Sequence, residues 1–105
     1  MFQLRIYTLR SAEALDRYSS VHWARHIGSL EAFGVATHGV WTERDGSAKR
    51  LVALVSFADD ADPTAVTDEY LASAEFKADM EGFEARDVVA VDTMLLDATG
   101  SSPIR

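Results

Sequence analysis

The order in which strand-like and helix-like segments follow one another is the feature that most constrains the fold of this chain. Residues 2–9 alternate in side-chain character and are rich in strand-forming residues, as expected for a half-buried strand. Comparable segments predict further strands over 35–43, 50–57 and 88–96. An Asp-Gly pair between the second and third strands marks a tight turn, so these two strands are expected to pair antiparallel.

Two regions between the strands have helical periodicity instead. Apolar and aromatic residues recur at spacings of three and four between Ser11, a suitable N-cap, and Gly34, a suitable end. This pattern predicts a helix over residues 12–33. Asp62 and Pro63 are typical of a helix start, and the second helical region is expected as two consecutive pieces.

The order strand–helix–strand–strand–helix–strand predicts an α+β fold of the ferredoxin-like βαββαβ class. Short connections and right-handed crossovers then give a four-stranded antiparallel sheet with both helical regions on one face. A length of 105 residues suits a single domain, which we assign to residues 1–97. The turn-forming residues of 98–105 predict a flexible C-terminal tail.

Composition and charge exclude several classes of function. The chain has no cysteine, which excludes disulfides, thiolate metal sites and a cysteine nucleophile. Its net charge of −7 disfavours nucleic acid and anionic membrane surfaces as partners. No apolar run reaches the roughly 18 residues that a membrane span needs. We therefore expect a soluble cytoplasmic domain with neither nucleic acid nor membrane among its partners.

The third and fourth strands carry apolar residues on both faces, for example Val55 and Leu54 on opposite sides of the third strand. Two helical regions can cover only one face of the sheet, and a solvated face of an antiparallel sheet normally carries polar residues. Each Å² of aliphatic surface left in water forgoes roughly 25 cal/mol. We therefore predict a twofold homodimer in which the uncovered sheet faces pack together.

Five short features occur in a characteristic order: Arg5-x-Tyr7-x-Leu9, Gly39-x-Trp41, an aliphatic strand that ends at Phe57, Phe76-Lys77 and Leu95-Leu96. Together they resemble the NIPSNAP-type members of the dimeric α/β-barrel superfamily over residues 1–97. The resemblance implies the ferredoxin-like fold and the barrel dimer. The superfamily includes cofactor-free monooxygenases, polyketide cyclases, lactone isomerases, haem enzymes and binding modules, so the resemblance implies no single activity.

His22 and His26 lie four residues apart on the apolar stripe of the first predicted helix, so both rings should point toward the sheet. Burying an unpaired polar ring costs roughly 1–3 kcal/mol, which makes two histidines on one stripe unexpected. A neutral imidazole is a good general acid or base near pH 7. Both are therefore candidate catalytic residues of a pocket between helix and sheet. The structural alternative is that neighbouring groups satisfy each ring within a filled core.

A metal site is a third interpretation of the two histidines. His22 and His26 have a spacing that allows both to bind one ion, with His38 or an acid as a further ligand. The chain has no His-Glu-x-x-His motif, however, and a haem would find little room in so short a chain. We therefore expect no metal and no cofactor.

Aromatic and polar residues near the histidines are candidates for the walls of a substrate pocket. These substrate-binding candidates are Tyr18, Trp23, Phe33, His38, Trp41 and, as a further aromatic wall, Tyr70. Tyr18 and His38 are also candidate hydrogen-bond partners of the catalytic rings. The alternative for the aromatic residues is that they fill the core.

Arg5 and Tyr7 share the face of the first strand that is opposite its apolar residues. If the apolar face meets the helices, this pair belongs to the dimer interface, and Arg5 pairs with an acid such as Asp92 or Glu43. We expect this arrangement first. If the faces are reversed, Arg5 and Tyr7 enter the pocket as a clamp for an oxyanion or a carboxylate.

The sequence thus predicts a cofactor-independent enzyme of small-molecule metabolism that acts on an apolar or aromatic carbonyl compound. His22 or His26 would move the proton, and the reaction would be of the cyclase, isomerase, lyase or monooxygenase type. A non-catalytic dimeric binding or structural module of the NIPSNAP type is the alternative. A metal-dependent enzyme is the third possibility.

Overall fold

Strands and helices follow one another in the predicted order in the computed structural model, which describes residues 1–105. The strands are β1 (Phe2–Leu9), β2 (Ala36–Thr42), β3 (Lys49–Ser56) and β4 (Val88–Leu96). The first helical region comprises α1 (Ala12–Arg17), a π-helical segment (Tyr18–His22) and α2 (Trp23–Ala32). The second comprises α3 (Pro63–Leu71) and α4 (Ala74–Asp79). None of these helices has the length and apolar character needed to cross a lipid bilayer.

The four strands form one antiparallel sheet in the order β2-β3-β1-β4. This is the ferredoxin-like arrangement, and the predicted fold class is confirmed. The two central strands, β1 and β3, pair over their whole length. Both helical regions lie on the side of the sheet where Leu51, Ala53 and Val55 of β3 are fully buried. We call this side the covered face and the other side the open face.

Side-chain caps start the helices where the sequence predicts them. The Ser11 hydroxyl accepts a hydrogen bond from the amide of Ala14 at 3.0 Å, and the Asp62 carboxylate accepts one from the amide of Thr64 at 3.1 Å. Gly34 ends the first helical region with φ of 79°, a left-handed conformation that favours glycine. A further cap at Ser73 separates α3 from α4, which explains why the second helical region comes in two pieces.

The first helical region differs from a regular α-helix at the segment from Tyr18 to His22, which is π-helical. The wider turn places one additional residue between successive inward-facing positions. The consecutive residues His22 and Trp23 are consequently both buried, whereas a regular amphipathic helix would direct one of them outward. The periodicity of the sequence does not predict this segment.

The structure corrects the predicted orientation of β1. Arg5 pairs with Ala53 and Tyr7 with Leu51. Directly opposed residues point to the same side of a sheet, so Arg5 and Tyr7 lie on the covered face. The apolar side chains of β1, Leu4 and Ile6 among them, lie on the open face instead. The buried side chains of β3 set this orientation, because their face is the one that the helices cover.

The structure also corrects the predicted placement of His38 and Trp41, which lie on β2. The register between β2 and β3 shifts between Thr37 and Gly39, so the strand bulges and its alternation of faces is interrupted. His38 reaches Ser56 across the open face, with 2.7 Å between its Nε2 atom and the serine hydroxyl. Trp41 also lies on the open face, with 54% of its surface exposed. Neither residue lines a pocket under the helices.

Candidate functional site

A cavity of about 490 Å³ lies between the covered face and the helices, within the usual range for small-molecule sites. Its exposed lining comes mainly from α3 and β4, including Asp68, Leu71, Val91 and Thr93, so the cavity opens between these two elements. Its buried lining is mixed, with one cation, one imidazole and several rings. The buried residues of the lining are Arg5, Tyr18, Trp23, His26, Leu30 and Tyr70, and the half-buried Tyr7 lies beside Arg5.

His26, which α2 places at the wall of the cavity, is held by aromatic neighbours on several sides. Phe76 of α4 stacks on the imidazole with 5.7 Å between ring centroids and an interplanar angle of 12°. Trp23 meets the ring edge-on at 5.4 Å, and Tyr18 does so at 6.2 Å. These contacts fix the plane of the ring, and only 3% of the residue is exposed.

Hydrogen bonds to Tyr70 and Asp79 fix which nitrogen of His26 carries its proton. The Tyr70 hydroxyl donates to Asp79 Oδ2 at 2.6 Å and lies 2.6 Å from His26 Nδ1. A hydroxyl has a single proton, so in the neutral ring Nδ1–H is the donor to the tyrosine oxygen. The same nitrogen lies 3.3 Å from Asp79 Oδ2. Nε2 is then the unprotonated nitrogen, and it makes no hydrogen bond within the chain.

Asp79 is buried at the end of α4 and remains a carboxylate. Burial alone would raise its pKa, but hydrogen bonds from Tyr70, Ser29 and His26 stabilise the charged form and hold the pKa below its ordinary value. The Ser29 hydroxyl donates to Oδ1 at 3.0 Å. Burial raises the pKa of Tyr70 most, and the hydrogen bond to Asp79 raises it further. Tyr70 therefore stays a phenol.

The pKa of His26 lies below its ordinary value. Burial lowers it most, Asp79 opposes this effect, and electrostatic interactions with His22 and Arg5 lower it further. His26 is therefore neutral at pH 7 and able to accept a proton. The negative carboxylate behind Nδ1 stabilises the imidazolium that would form.

His22 lies in a different environment, away from the cavity. It is fully buried, and Phe83 packs against it with 4.9 Å between ring centroids. Its Nδ1 atom lies 2.8 Å from the backbone oxygen of Asp79; because a carbonyl only accepts, Nδ1–H is the donor. Nε2 is enclosed without a partner. The structure therefore brings His26, and not His22, to the cavity.

Arg5 is the only permanently charged cation among the side chains that line the cavity, and only 6% of its surface is exposed. It donates to the Gln3 amide oxygen at 2.8 Å and to the Thr67 hydroxyl at 3.4 Å, and it stands beside Tyr7. Burial raises the pKa of Tyr7, and the nearby Arg5 charge only partly opposes this. No carboxylate forms an ion pair with Arg5.

The predicted acid partners of Arg5 lie elsewhere. Asp92 pairs with Ile6 across β1 and β4, so it projects from the open face and cannot meet Arg5. Glu43 forms an ion pair with Arg50 at 3.3 Å. Both predicted pairings are wrong, because the reversed orientation of β1 turns Arg5 under the helices.

The remaining predicted pocket residues divide into two groups. Tyr18 and Trp23 line the cavity, and the hydrogen-bond partner of His26 is Tyr70 and not Tyr18. Phe33 packs behind the wall against Tyr70, at 5.3 Å between ring centroids.

Asp79 is a residue of the site that the sequence analysis did not predict. Its one signal in the sequence is an acid three residues after Phe76 in a helical stripe that is otherwise apolar.

No group of three or more histidine, aspartate or glutamate side chains is arranged to hold a metal ion. The Nδ1 atoms of both helix histidines are already engaged in hydrogen bonds. The chemistry offered by the site is therefore that of an imidazole, a phenol, a carboxylate and a guanidinium around an apolar cavity.

Several solved structures are similar to this chain in fold. A NIPSNAP domain protein from Burkholderia xenovorans superposes with a TM-score of 0.76 at 15% identity, covering 97% of each chain. A NIPSNAP family protein from Agrobacterium tumefaciens gives 0.80 at 14% identity, covering 99% of this chain and 92% of the other. An antibiotic biosynthesis monooxygenase gives 0.57 at 15% identity, covering 94% and 99%. No curated protein matches.

The structural likenesses show the fold alone. The NIPSNAP family profile, in contrast, matches residues 2–103, nearly the whole chain. The resemblance expected from the sequence is thus confirmed over the region that carries β1, both helical regions and β4. The chain belongs to the NIPSNAP family.

Proposed function

We propose that this protein is a cofactor-independent enzyme that moves a proton on a small carbonyl compound, with His26 as the general base. The observation that carries the proposal is the pairing of His26 Nδ1 with Tyr70 and Asp79, which leaves the basic Nε2 without a partner at a cavity wall. A base held in this way has its tautomer, orientation and charge stabilisation set before substrate binds.

The proposed step removes a proton from a carbon beside the substrate carbonyl. The C–H proton passes to Nε2, and the electron pair of the broken bond moves into the carbonyl to form an enolate. Asp79 stabilises the positive charge of the imidazolium through Nδ1–H. Return of the proton to another atom of the substrate gives isomerisation or completes a cyclisation, and neither outcome requires a cofactor.

The surroundings of the base fit an apolar or aromatic substrate. Eleven of the nineteen residues that line the cavity are hydrophobic, and Tyr18 and Trp23 offer ring surfaces next to His26. The same fold occurs in an antibiotic biosynthesis monooxygenase, which supports catalysis on this scaffold by analogy of fold alone.

Proton exchange tests the proposal without knowledge of the natural reaction. Enolisable ketones, both aliphatic and aromatic, are incubated with the protein in D₂O, and loss of the α-proton signal is followed by NMR. The His26→Asn variant retains an amide nitrogen near the position of Nδ1 but has no Nε2. We expect it to lose at least about 100-fold of the exchange rate, the usual contribution of a general base.

His38→Asn is the matched control, because His38 lies on the open face and its replacement should leave the rate unchanged. Equal exchange in the wild type and in His26→Asn would contradict the role of His26. Failure of every ketone to exchange above the uncatalysed rate would instead favour the non-catalytic binding module.

We further infer that the open face of the sheet is the interface of a homodimer. It presents apolar side chains from all four strands, and no segment of the chain covers them. Examples are Ile6, Leu54, Trp41 and Met94, the last two with 54% and 60% of their surfaces exposed. A contiguous apolar surface of this kind is typical of a protein interface, and a second copy offers a self-complementary partner.

Light scattering after size exclusion tests the dimer. We expect a mass of twice 11.5 kDa for the wild type and of one chain for Met94→Asp, because a buried unpaired carboxylate opposes association. Met94 is exposed within the single chain, so the substitution should leave the fold intact. A monomeric wild type at high concentration would contradict the inferred interface.

A further inference from the structure

We propose that the cavity binds its ligand as a carboxylate monoanion, and that Arg5 is the residue that recognises the carboxylate. This inference rests on the proposed function in one respect, because it concerns the same cavity, but its evidence is separate. That evidence is the position and the partners of Arg5.

Arg5 carries a permanent charge into a site where nothing on the chain neutralises it. Arg5 is 94% buried, and its guanidinium contacts the neutral groups of Gln3, Thr67 and Tyr7. The ring centroid of Phe57 lies 5.9 Å from Cζ. A buried ion without a counter-ion is costly. A guanidinium has five N–H donors, and the two observed hydrogen bonds leave donors for a ligand.

A carboxylate fits this site better than a charge that forms only during the reaction. The carbonyl oxygen that becomes the enolate is neutral until the proton leaves, so it cannot offset the buried charge in the resting complex. A carboxylate is charged from the start and accepts two parallel hydrogen bonds from the planar guanidinium. Gln3 and Thr67 hold the guanidinium from the sides and so fix the direction in which it faces.

The electrostatics of the surroundings favour one negative charge and disfavour several. Arg5 is the only cationic side chain among the residues that line the cavity, and Asp68 lies among the exposed residues at its opening. The chain as a whole has a net charge of −7, which repels multiply charged anions over long range. The apolar lining then takes the rest of the ligand, so the predicted class is an apolar or aromatic oxo acid.

A matched pair of probes tests this recognition without turnover. Benzoylformate has a carboxylate and a carbonyl but no enolisable hydrogen, and benzoylformamide is its neutral counterpart. Their affinities are measured by calorimetry on the wild type, Arg5→Gln, Arg5→Lys and Arg44→Gln. The last is a control, because Arg44 is an exposed turn residue outside the cavity and its loss changes net charge equally.

For the wild type and Arg44→Gln we expect the carboxylate to bind at least about tenfold more tightly than the amide, the factor that one charge-assisted hydrogen bond supplies. Arg5→Gln should abolish this preference, and Arg5→Lys should retain part of it because the point charge remains but the planar fork is lost. Equal affinity for acid and amide in the wild type would overturn the proposal. So would a preference that survives in Arg5→Gln.

If the Arg5 variants do not fold, the affinities of the wild type for benzoylformate and benzoylformamide still test the preference for a carboxylate. The result also separates the two proposals, because binding needs Arg5 and proton exchange needs His26. Carboxylate binding without exchange of any ketone would leave this inference standing and remove the proposed catalysis. Exchange of neutral ketones without a preference for the carboxylate would overturn this inference and leave the proposed catalysis standing.

Discussion

His22 and His26 lie four residues apart on the same face of one helix, yet they occupy opposite kinds of environment. His22 is enclosed against Phe83 with one ring nitrogen unpartnered. His26 opens onto the cavity and its other nitrogen is held by Tyr70 and Asp79. Both rings are anchored by the same residue, since His22 bonds to the backbone oxygen of Asp79 and His26 contacts its carboxylate.

The difference shows that residue type and helical spacing do not by themselves make a site. What distinguishes the two histidines is the element packed against each. The end of α4 presents a carbonyl to His22 and a carboxylate to His26, and only the carboxylate carries a negative charge. Four changes can separate the two histidines experimentally.

Replacing Asp79 by alanine should have the largest effect on stability. Of the two histidines, only His26 should be affected. The substitution removes the acceptor of Tyr70, Ser29 and His26 but keeps the backbone oxygen that His22 uses. We expect the free energy of unfolding to fall by about 2–4 kcal/mol, because buried donors lose their charged partner. Urea unfolding measures the loss, and ¹⁵N NMR of the imidazoles should show a changed His26 and an unchanged His22.

Replacing Tyr70 by phenylalanine should have a smaller effect, because the ring contacts of Tyr70 with Phe33, Phe76 and His26 persist. Loss of the hydroxyl removes one hydrogen bond to a charged group, about 2 kcal/mol of stability, and we expect proton exchange to slow about tenfold. Tyr18→Phe is the matched control, since Tyr18 touches the His26 ring without a hydrogen bond to it. Equal effects of the two substitutions would argue against a specific role of Tyr70.

Replacing His22 by asparagine sharpens the contrast with the same substitution at His26. The amide nitrogen of asparagine can donate to the Asp79 carbonyl in place of Nδ1, so the main loss is packing against Phe83. We expect about 1 kcal/mol less stability from the small void and an exchange rate within about threefold of the wild type. A loss of exchange as large as that of His26→Asn, with the fold intact by circular dichroism, would show that His22 takes part in catalysis.

The smallest expected effect is on the pH dependence of stability. Burial lowers the pKa of His26 below its ordinary 6.5, more than Asp79 restores it. The unfolded chain therefore takes up this proton at a higher pH than the folded chain, and the free energy of unfolding should fall as the pH drops below about 6.5. The pKa of Asp79 lies below 3.8, so its contribution is retained until the solution is far more acidic.

Urea unfolding of the wild type and His26→Asn at pH 7.5, 6.5 and 5.5 isolates this contribution. The difference in unfolding free energy between the two proteins should shrink on acidification. Proton exchange by the wild type should be constant at neutral pH and decline only below the lowered pKa of folded His26, where the base is protonated. A difference that grows on acidification would mean that the folded state favours the protonated ring.

Local patterns in the sequence were enough to predict the fold. Alternation defined the four strands, Ser11 and Asp62 defined helix starts, and the order of elements admitted one simple sheet topology, because these features depend on neighbours within a few residues. The doubly apolar third strand likewise indicated that one face of the sheet needs a partner. The family resemblance followed from the same segments.

Tertiary structure alone decided which residues form the site. The covered face of β1 is the one with Arg5 and Tyr7, because pairing with β3 aligns them with its most deeply buried side chains. A bulge between Thr37 and Gly39 interrupted the alternation of β2, so that His38 and Trp41 both lie on the open face, and Asp79, 53 residues from His26, completed the site. A sequence read along its length shows which residues can do chemistry, whereas the packing of α4 against α2 determines which of them meet.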